Sequence, residues 1–149
     1  MVMKVPIKII KDGTITSPAG FRAGAVYAGM KTPGPDKLDL GILVSDKPCT
    51  VAGVFSQNSI VSPSLAHSRE RVKSGQNARG LVVNSGCANA CVGEQGLIDA
   101  QEVVELAGDQ VGVPSSDMLI CSTGMIGVEL PMALIRENIV KIQPARDAG

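Results

Sequence analysis

Apolar and polar positions change period along this chain. Lys alternates with Val and Ile over residues 4–10, the pattern of a half-exposed strand. Asp12-Gly13 then turns the chain, so Thr14-Ile15-Thr16 reads as the returning strand of a hairpin. Ser17-Pro18-Ala19-Gly20 is a second turn, followed by a small, apolar strand over residues 21–30. Thr32-Pro33-Gly34-Pro35-Asp36 is a loop. Further strands are predicted over residues 38–44, closed by Ser45-Asp46-Lys47-Pro48, and 50–55, closed by Gln57-Asn58. Strands this short and this closely spaced predict a largely antiparallel first half.

The second half alternates strand and helix. Ser62-Pro63 supplies an N-cap and a Pro at N1 for a helix reaching Val72, stopped by Ser74-Gly75. Residues 80–84 are continuously apolar, as a strand buried on both faces is. Leu97, Ala100, Val104, Ala107 and Val111 then recur at helical spacing, with Asp99, Gln101, Glu102 and Glu105 opposite them. Gly112-Val113-Pro114 ends that helix, residues 118–121 form the next buried strand, and Pro131 opens a last helix with Met132, Ile135 and Ile139 inward. The tail from Gln143 is polar and reads as loose. The expected fold is α/β, or α+β with a mixed sheet: N-terminal antiparallel strands followed by a βαβ unit over 80–121. With no repeat and no linker, residues 1–149 read as one domain.

Composition narrows the classes of function. Hydrophobic residues make up 44% and charged residues 19%, a globular balance, while aromatics are only 2%, so the core must be aliphatic. Lys plus Arg and Asp plus Glu both number 14, which leaves no basic footprint for nucleic acid or an anionic membrane surface. No apolar run approaches the ~18 residues of a membrane span. The N-terminus, broken by Lys and Pro, lacks a signal-peptide core. A cytoplasmic chain with Cys49, Cys87, Cys91 and Cys121 as reduced thiols is expected.

Candidate chemistry gathers at two similar stretches. Gly80-Leu81-Val82-Val83-Asn84-Ser85-Gly86 and Met118-Leu119-Ile120-Cys121-Ser122-Thr123-Gly124 each end an apolar strand in small polar residues and Gly. If the strands are parallel, both ends emerge at one sheet edge, where open α/β sheets bind ligands. The Gly124 amide and the Thr123 hydroxyl are suited to a developing oxyanion or a phosphate oxygen, and equally suited to a plain tight turn. Asn84, Ser85 and Gly86, with Asn89 a little further on, are candidates for binding a polar substrate, or for capping the following turn. Cys87 and Cys91 read as small buried thiols rather than metal ligands, since zinc needs four ligands, and His67 reads as a solvated helix residue. There is neither G-x-G-x-x-G nor a Walker lysine. The elements present stabilise an electrophile, but a nucleophile or general base is missing.

Together these stretches resemble the ornithine acetyltransferase family. The resemblance rests on Ser17-Pro18-Ala19-Gly20-Phe21-Arg22-Ala23-Gly24, Leu40-Gly41-Ile42-Leu43-Val44-Ser45-Asp46 and Val51-Ala52-Gly53-Val54-Phe55. It continues through Asn84-Ser85-Gly86-Cys87-Ala88-Asn89-Ala90-Cys91-Val92-Gly93-Glu94-Gln95-Gly96, Ser122-Thr123-Gly124-Met125-Ile126-Gly127 and Leu130-Pro131-Met132. It implies a glutamate N-acetyltransferase of arginine biosynthesis, moving acetyl from N-acetylornithine to glutamate. It also implies a precursor that cleaves itself into α and β chains, a layered N-terminal-nucleophile type of fold, an α2β2 assembly in the cytoplasm, and no metal or cofactor. The nucleophile would be the N-terminal Thr of the β chain, while Thr123 and Gly124 would form the oxyanion hole. Two departures stand out. Cys87 occupies the place of a usual Asn, so a loop hydrogen bond is expected to be missing. The Met-Thr-Thr-Asp and Ala-Thr-Met-Leu motifs of the family are absent, so the chain is expected to be the front portion of an α chain, inactive without the remainder. The alternatives are an amide or peptide hydrolase on the same scaffold, or a non-catalytic ligand-binding fragment.

Overall fold

Apolar runs pair before anything else can bury them. In the computed structural model, which describes residues 7, 9–31, 34 and 37–147, four runs form one mixed sheet in the order β1-β2-β3-β4. These strands are β1 (Phe21–Val26), β2 (Leu40–Cys49), β3 (Ala78–Cys87) and β4 (Met118–Met125). β1 and β3 flank β2 in antiparallel fashion, and β4 runs parallel to β3. The helices are α1 (Pro63–Lys73), α2 (Gln95–Val111), which connects β3 to β4, and α3 (Met132–Ile139). The antiparallel first half and the βαβ unit are both as the apolar pattern predicts.

Period-two alternation gives the sheet two unlike faces. Ile42, Val82 and Ile120 lie in one cross-strand row, and all three are buried. Their face packs on Ala100, Val103, Val104 and Ala107 of α2 and on Ile135 and Ile139 of α3, forming the aliphatic core. Burying each such side chain contributes roughly 1.5–3 kcal/mol, and Ile135→Ala, at a fully buried position, would remove about 2–5 kcal/mol. The opposite face carries the rows Ala23-Leu43-Leu81-Leu119 and Ala25-Gly41-Val83-Cys121. It stays partly open, with Val83 at 38% exposure.

Helix α1 lies along the free edge of β4. Its start is as the sequence indicates: Ser62 Oγ accepts from the Leu65 amide at 3.3 Å and Pro63 occupies the first turn. Ser68 Oγ donates to the Ile120 carbonyl at 2.7 Å and accepts from the Ile120 amide at 2.9 Å. One hydroxyl thereby replaces a neighbouring strand and closes an edge that would otherwise offer unpaired groups.

Several expectations are corrected. Thr14-Ile15-Thr16 is a turn, because the Ser17 hydroxyl takes the Thr14 amide at 2.7 Å and the Ser17 amide returns to the Thr14 carbonyl at 3.1 Å. Such local bonds compete with a ladder. The strand expected over 4–10 and the loop over 32–36 fall mostly outside the described residues. β1 ends at Val26, and β2 runs past Val44 to Cys49 through an irregular register. Residues 50–55 form no strand. β2 is already flanked on both sides, α1 lies against β4, and the middle of β1's outer edge is taken at Ala23 by Ala145, so no sheet edge is free along its whole length for them. That bridge also corrects the loose tail: Ala23 and Ala145 exchange hydrogen bonds of 2.9 and 2.8 Å, and Arg146 reaches Asp46 at 2.9 Å. On α2 the buried stripe is rotated from the expected one. Asp99 is buried and accepts from Gln95 at 2.8 Å, while Leu97 is 57% exposed.

Candidate functional site

Because β3 and β4 are parallel, their carboxyl ends lie side by side. The register pairs Asn84 with Ser122, Ser85 with Thr123 and Gly86 with Gly124. The two stretches are thus paired strand ends rather than open loops. Gly permits this pairing. Gly86 has φ +114° and Gly124 has φ +132°, a region other residues enter only under strain. A Cβ on Gly124 would collide with the Gly86 backbone, and one on Gly86 with the Met30 carbonyl. Three backbone segments are therefore stacked at contact distance.

The Met30 segment is held there by Asp39, which is buried. Its carboxylate accepts the Ala28, Met30 and Lys31 amides at 2.6, 2.7 and 3.0 Å. Beyond the Gly pair, the Ala88 amide donates to Met125 O and the Gly127 amide to Ala90 O, both at 2.8 Å, so the two outgoing loops leave together.

Beyond Ile120, where Ser68 closes it, the outer edge of β4 is chemically open. The Ile120 amide and carbonyl both point to Ser68, away from β3, and two-residue alternation turns the Ser122 and Gly124 amides to that same edge. The positive φ of Gly124 rotates the chain only after its amide, so that direction is kept. Thr123 and Gly124 are exposed and Ser122 is half-buried. A cleft of about 280 Å³ opens beside them, walled by Val54, Phe55, Leu65 and Cys121, with Ser62, Ser68, Ile120 and Ser122. Burial in this wall pushes the Cys121 thiol pKa up. A wider hollow of about 540 Å³ lies on another flank of α1, around His67, Glu70 and Arg71, away from the strand ends.

The other candidates divide. Asn84 is buried and donates Nδ2 to Cys87 O at 2.8 Å, the turn-capping alternative. Ser85 and Gly86 stand beside Thr123 and Gly124. Cys87 is buried as expected, and its thiol donates toward Val128 O at 3.0 Å. Cys91 is exposed, contrary to the buried reading, and sits at φ +59° in the loop before α2. His67 is half-buried, not solvated: its Nε2 lies 3.4 Å from Met118 O. Among the described residues no cluster of three or more His, Cys, Asp or Glu could hold a metal ion, and no helix is long and apolar enough to cross a membrane.

Ser64 was not singled out by sequence, and Asn89 was marked only as the second Asn of the polar 84–91 stretch. Both are buried, with Asn89 Nδ2 3.2 Å from Ser64 Oγ and Ser64 Oγ 2.8 Å from Ser122 Oγ. The only signal for Ser64 is its spacing four residues before Ser68 on one helix face, which acquires meaning only once β4 lies against it.

A mixed sheet with helices on one face, an open apolar second face and Gly-paired parallel strand ends defines an α/β protein whose candidate ligand edge is built largely from backbone. The sequence pattern of the ArgJ family matches residues 22–148, and the chain belongs to that family. It is 46% identical over 137 residues to the arginine biosynthesis bifunctional protein ArgJ of Dehalococcoides mccartyi, covering 92% of this chain and 34% of that relative. It is 41% identical over 136 residues to the ArgJ protein of Streptococcus thermophilus. The chain thus spans about a third of the length of the curated relatives it matches. Among solved structures, ArgJ of Bacillus halodurans superimposes with a TM-score of 0.83 at 32% identity, covering 90% of this chain and 69% of that one. Ornithine acetyltransferase of Mycobacterium tuberculosis, solved with ornithine, gives 0.81 at 30%, covering 89% and 71%.

Proposed function

We propose that this chain is the α-chain portion of a self-cleaving acetyltransferase that moves acetyl from N-acetylornithine to glutamate, with Thr123 and Gly124 forming the oxyanion hole. The observation that carries the reading is the in-register Gly86–Gly124 pair, which presents an exposed Thr123-Gly124 edge at the carboxyl ends of two parallel strands. Family membership and the ornithine held by the mycobacterial relative support the substrate class.

In this reading the Oγ of an N-terminal Thr on a partner β chain attacks the acetyl carbonyl, and its own α-amine takes the proton. The carbonyl oxygen becomes an oxyanion, which the Gly124 amide and Thr123 hydroxyl stabilise. Collapse breaks the C–N bond, the ornithine amine leaves with a proton, and acetyl-Thr remains. The glutamate amine then attacks the ester carbonyl through a second oxyanion in the same donors. N-acetylglutamate departs and the Thr hydroxyl is restored. Backbone amides and side chains supply this chemistry without a metal or cofactor.

The partly open sheet face supports the need for a partner. Thr123 lies on the same face as Leu119 and Cys121, so chain packing over Leu43, Leu81 and Leu119 would also stand over Thr123. The domain is therefore completed by the remainder of the protein, in an α2β2 assembly located in the cytoplasm. The test is product analysis: full-length protein given N-acetylornithine and glutamate should yield N-acetylglutamate and ornithine in equal amounts. Acetate in place of N-acetylglutamate would make the protein a hydrolase instead.

A further inference from the structure

We propose that Ser122 is a further ligand-binding residue of this site, its hydroxyl hydrogen aimed into the cleft beside β4 to meet an oxygen of the acyl donor, with Asn89 and Ser64 as the positioning residues that set that direction. The inference rests on the acetyl-transfer reading, which makes the outer edge of β4 the ligand side.

The direction follows from counting hydrogens. Asn89 is fully buried and held at φ +50°, a backbone state its surroundings must enforce. Its side-chain atom 2.9 Å from Gly96 O must be the nitrogen, because a carbonyl only accepts. The second amide hydrogen then goes to Ser64 Oγ at 3.2 Å. Ser64, at 1% exposure, has one hydrogen of its own, and Ser122 Oγ at 2.8 Å is its acceptor among the described residues. The reverse arrangement would bury a hydroxyl hydrogen without an acceptor, which is the costly outcome. The relay therefore runs Asn89 to Ser64 to Ser122. The Ser122 hydrogen has no acceptor among the described residues. Ser122 is half-buried and lines the cleft of about 280 Å³, at the edge to which its own amide also points. An oxygen entering there meets two donors from one residue. Neither Thr123 nor Gly124 lines this cleft, so the contact is additional to theirs.

The acceptor is an oxygen of the amino-acid donor, either its acyl carbonyl or its carboxylate. Steady-state kinetics on full-length Ser122→Ala should show KM for N-acetylornithine raised about five- to tenfold, the value of one neutral hydrogen bond, with kcat changed far less if the acceptor is the carboxylate and lowered as well if it is the carbonyl whose oxygen becomes the oxyanion. Ser122→Thr, which keeps the hydroxyl, should restore it. Ser64→Ala should raise KM in the same direction, and the double variant should be no worse than Ser122→Ala alone, because both act through one hydrogen. N-acetylputrescine, which has the carbonyl without the carboxylate, identifies the acceptor as an inhibitor: weaker inhibition of Ser122→Ala assigns the carbonyl, equal inhibition the carboxylate. Unchanged KM in a folded Ser122→Ala enzyme, with Thr123→Ala still impaired in kcat, would overturn this inference alone. Thr123→Ala without effect would overturn the acetyl-transfer reading beneath it.

Discussion

Gly124→Ala tests the close backbone stack on which the site depends. Two costs add at this position. An L-residue at φ +132° carries roughly 1–3 kcal/mol of backbone strain. The new methyl would also overlap the Gly86 backbone, which cannot rotate aside as a side chain can, and forcing such overpacking costs about another 1–3 kcal/mol. The expected loss is therefore about 2–6 kcal/mol, a large share of the ~5–15 kcal/mol that holds a typical domain. Gly127→Ala is the internal control. Its φ is +79°, but nothing lies within 4 Å of the added methyl, so it carries strain alone. Urea unfolding of both variants in the full-length protein, followed by circular dichroism, should place the Gly124→Ala midpoint clearly below that of Gly127→Ala. Equal midpoints would refute the close approach of β3 and β4 at the Gly pair, whatever the absolute losses.

Asp39→Ala leaves the Ala28, Met30 and Lys31 amides without their carboxylate acceptor and should cost about 3–5 kcal/mol; a thermal midpoint near wild type would contradict that role. Glu102 is bound in two places by Arg136, whose hydrogen bond holds its carboxyl below the ordinary 4.5. A depressed folded pKa adds stability that is present above the unfolded value and lost as pH falls through the folded one. Glu102→Gln should therefore lower the thermal midpoint slightly at pH 7, by an amount that shrinks as pH falls through the depressed folded value and is smaller at pH 3. A difference undiminished at pH 3 would mean the carboxyl acts through packing. Asp46, lowered by hydrogen bonds from Arg22 and Arg146, carries the same sign.

Legibility in the sequence followed the range of the forces involved. The 80–121 unit was readable because its signals are local: continuous apolar strands, a 3.6-residue stripe, and Gly112 ending α2 at φ +69°. The Ser62-Pro63 helix start was local as well. What failed depended on partners distant in sequence. Residues 50–55 look like a strand, but no sheet edge was free along its whole length for them. Ala145 looks like tail, yet it closes the edge of β1. Thr123 and Gly124 were marked by composition, whereas their pairing with Ser85 and Gly86 needed the parallel register. Asp39 and Ser64 carry no motif, Asn89 was marked only as part of a polar stretch, and what they hold comes from chain 7 to 58 residues away in sequence. Asp99 was assigned to solvent because charge usually is, and Gln95 one turn earlier supplies the partner that lets it be buried.

The central claim is that this edge stabilises the oxyanion of acetyl transfer. Thr123 is exposed, so its hydroxyl can be removed with little effect on the fold. The most direct measurement is kcat for N-acetylornithine-to-glutamate transfer by full-length Thr123→Ala, at wild-type thermal stability. Loss of one oxyanion donor predicts a fall of roughly 10²–10³ in kcat with little change in KM. A kcat within about twofold of wild type, against that expected loss, would contradict the assignment.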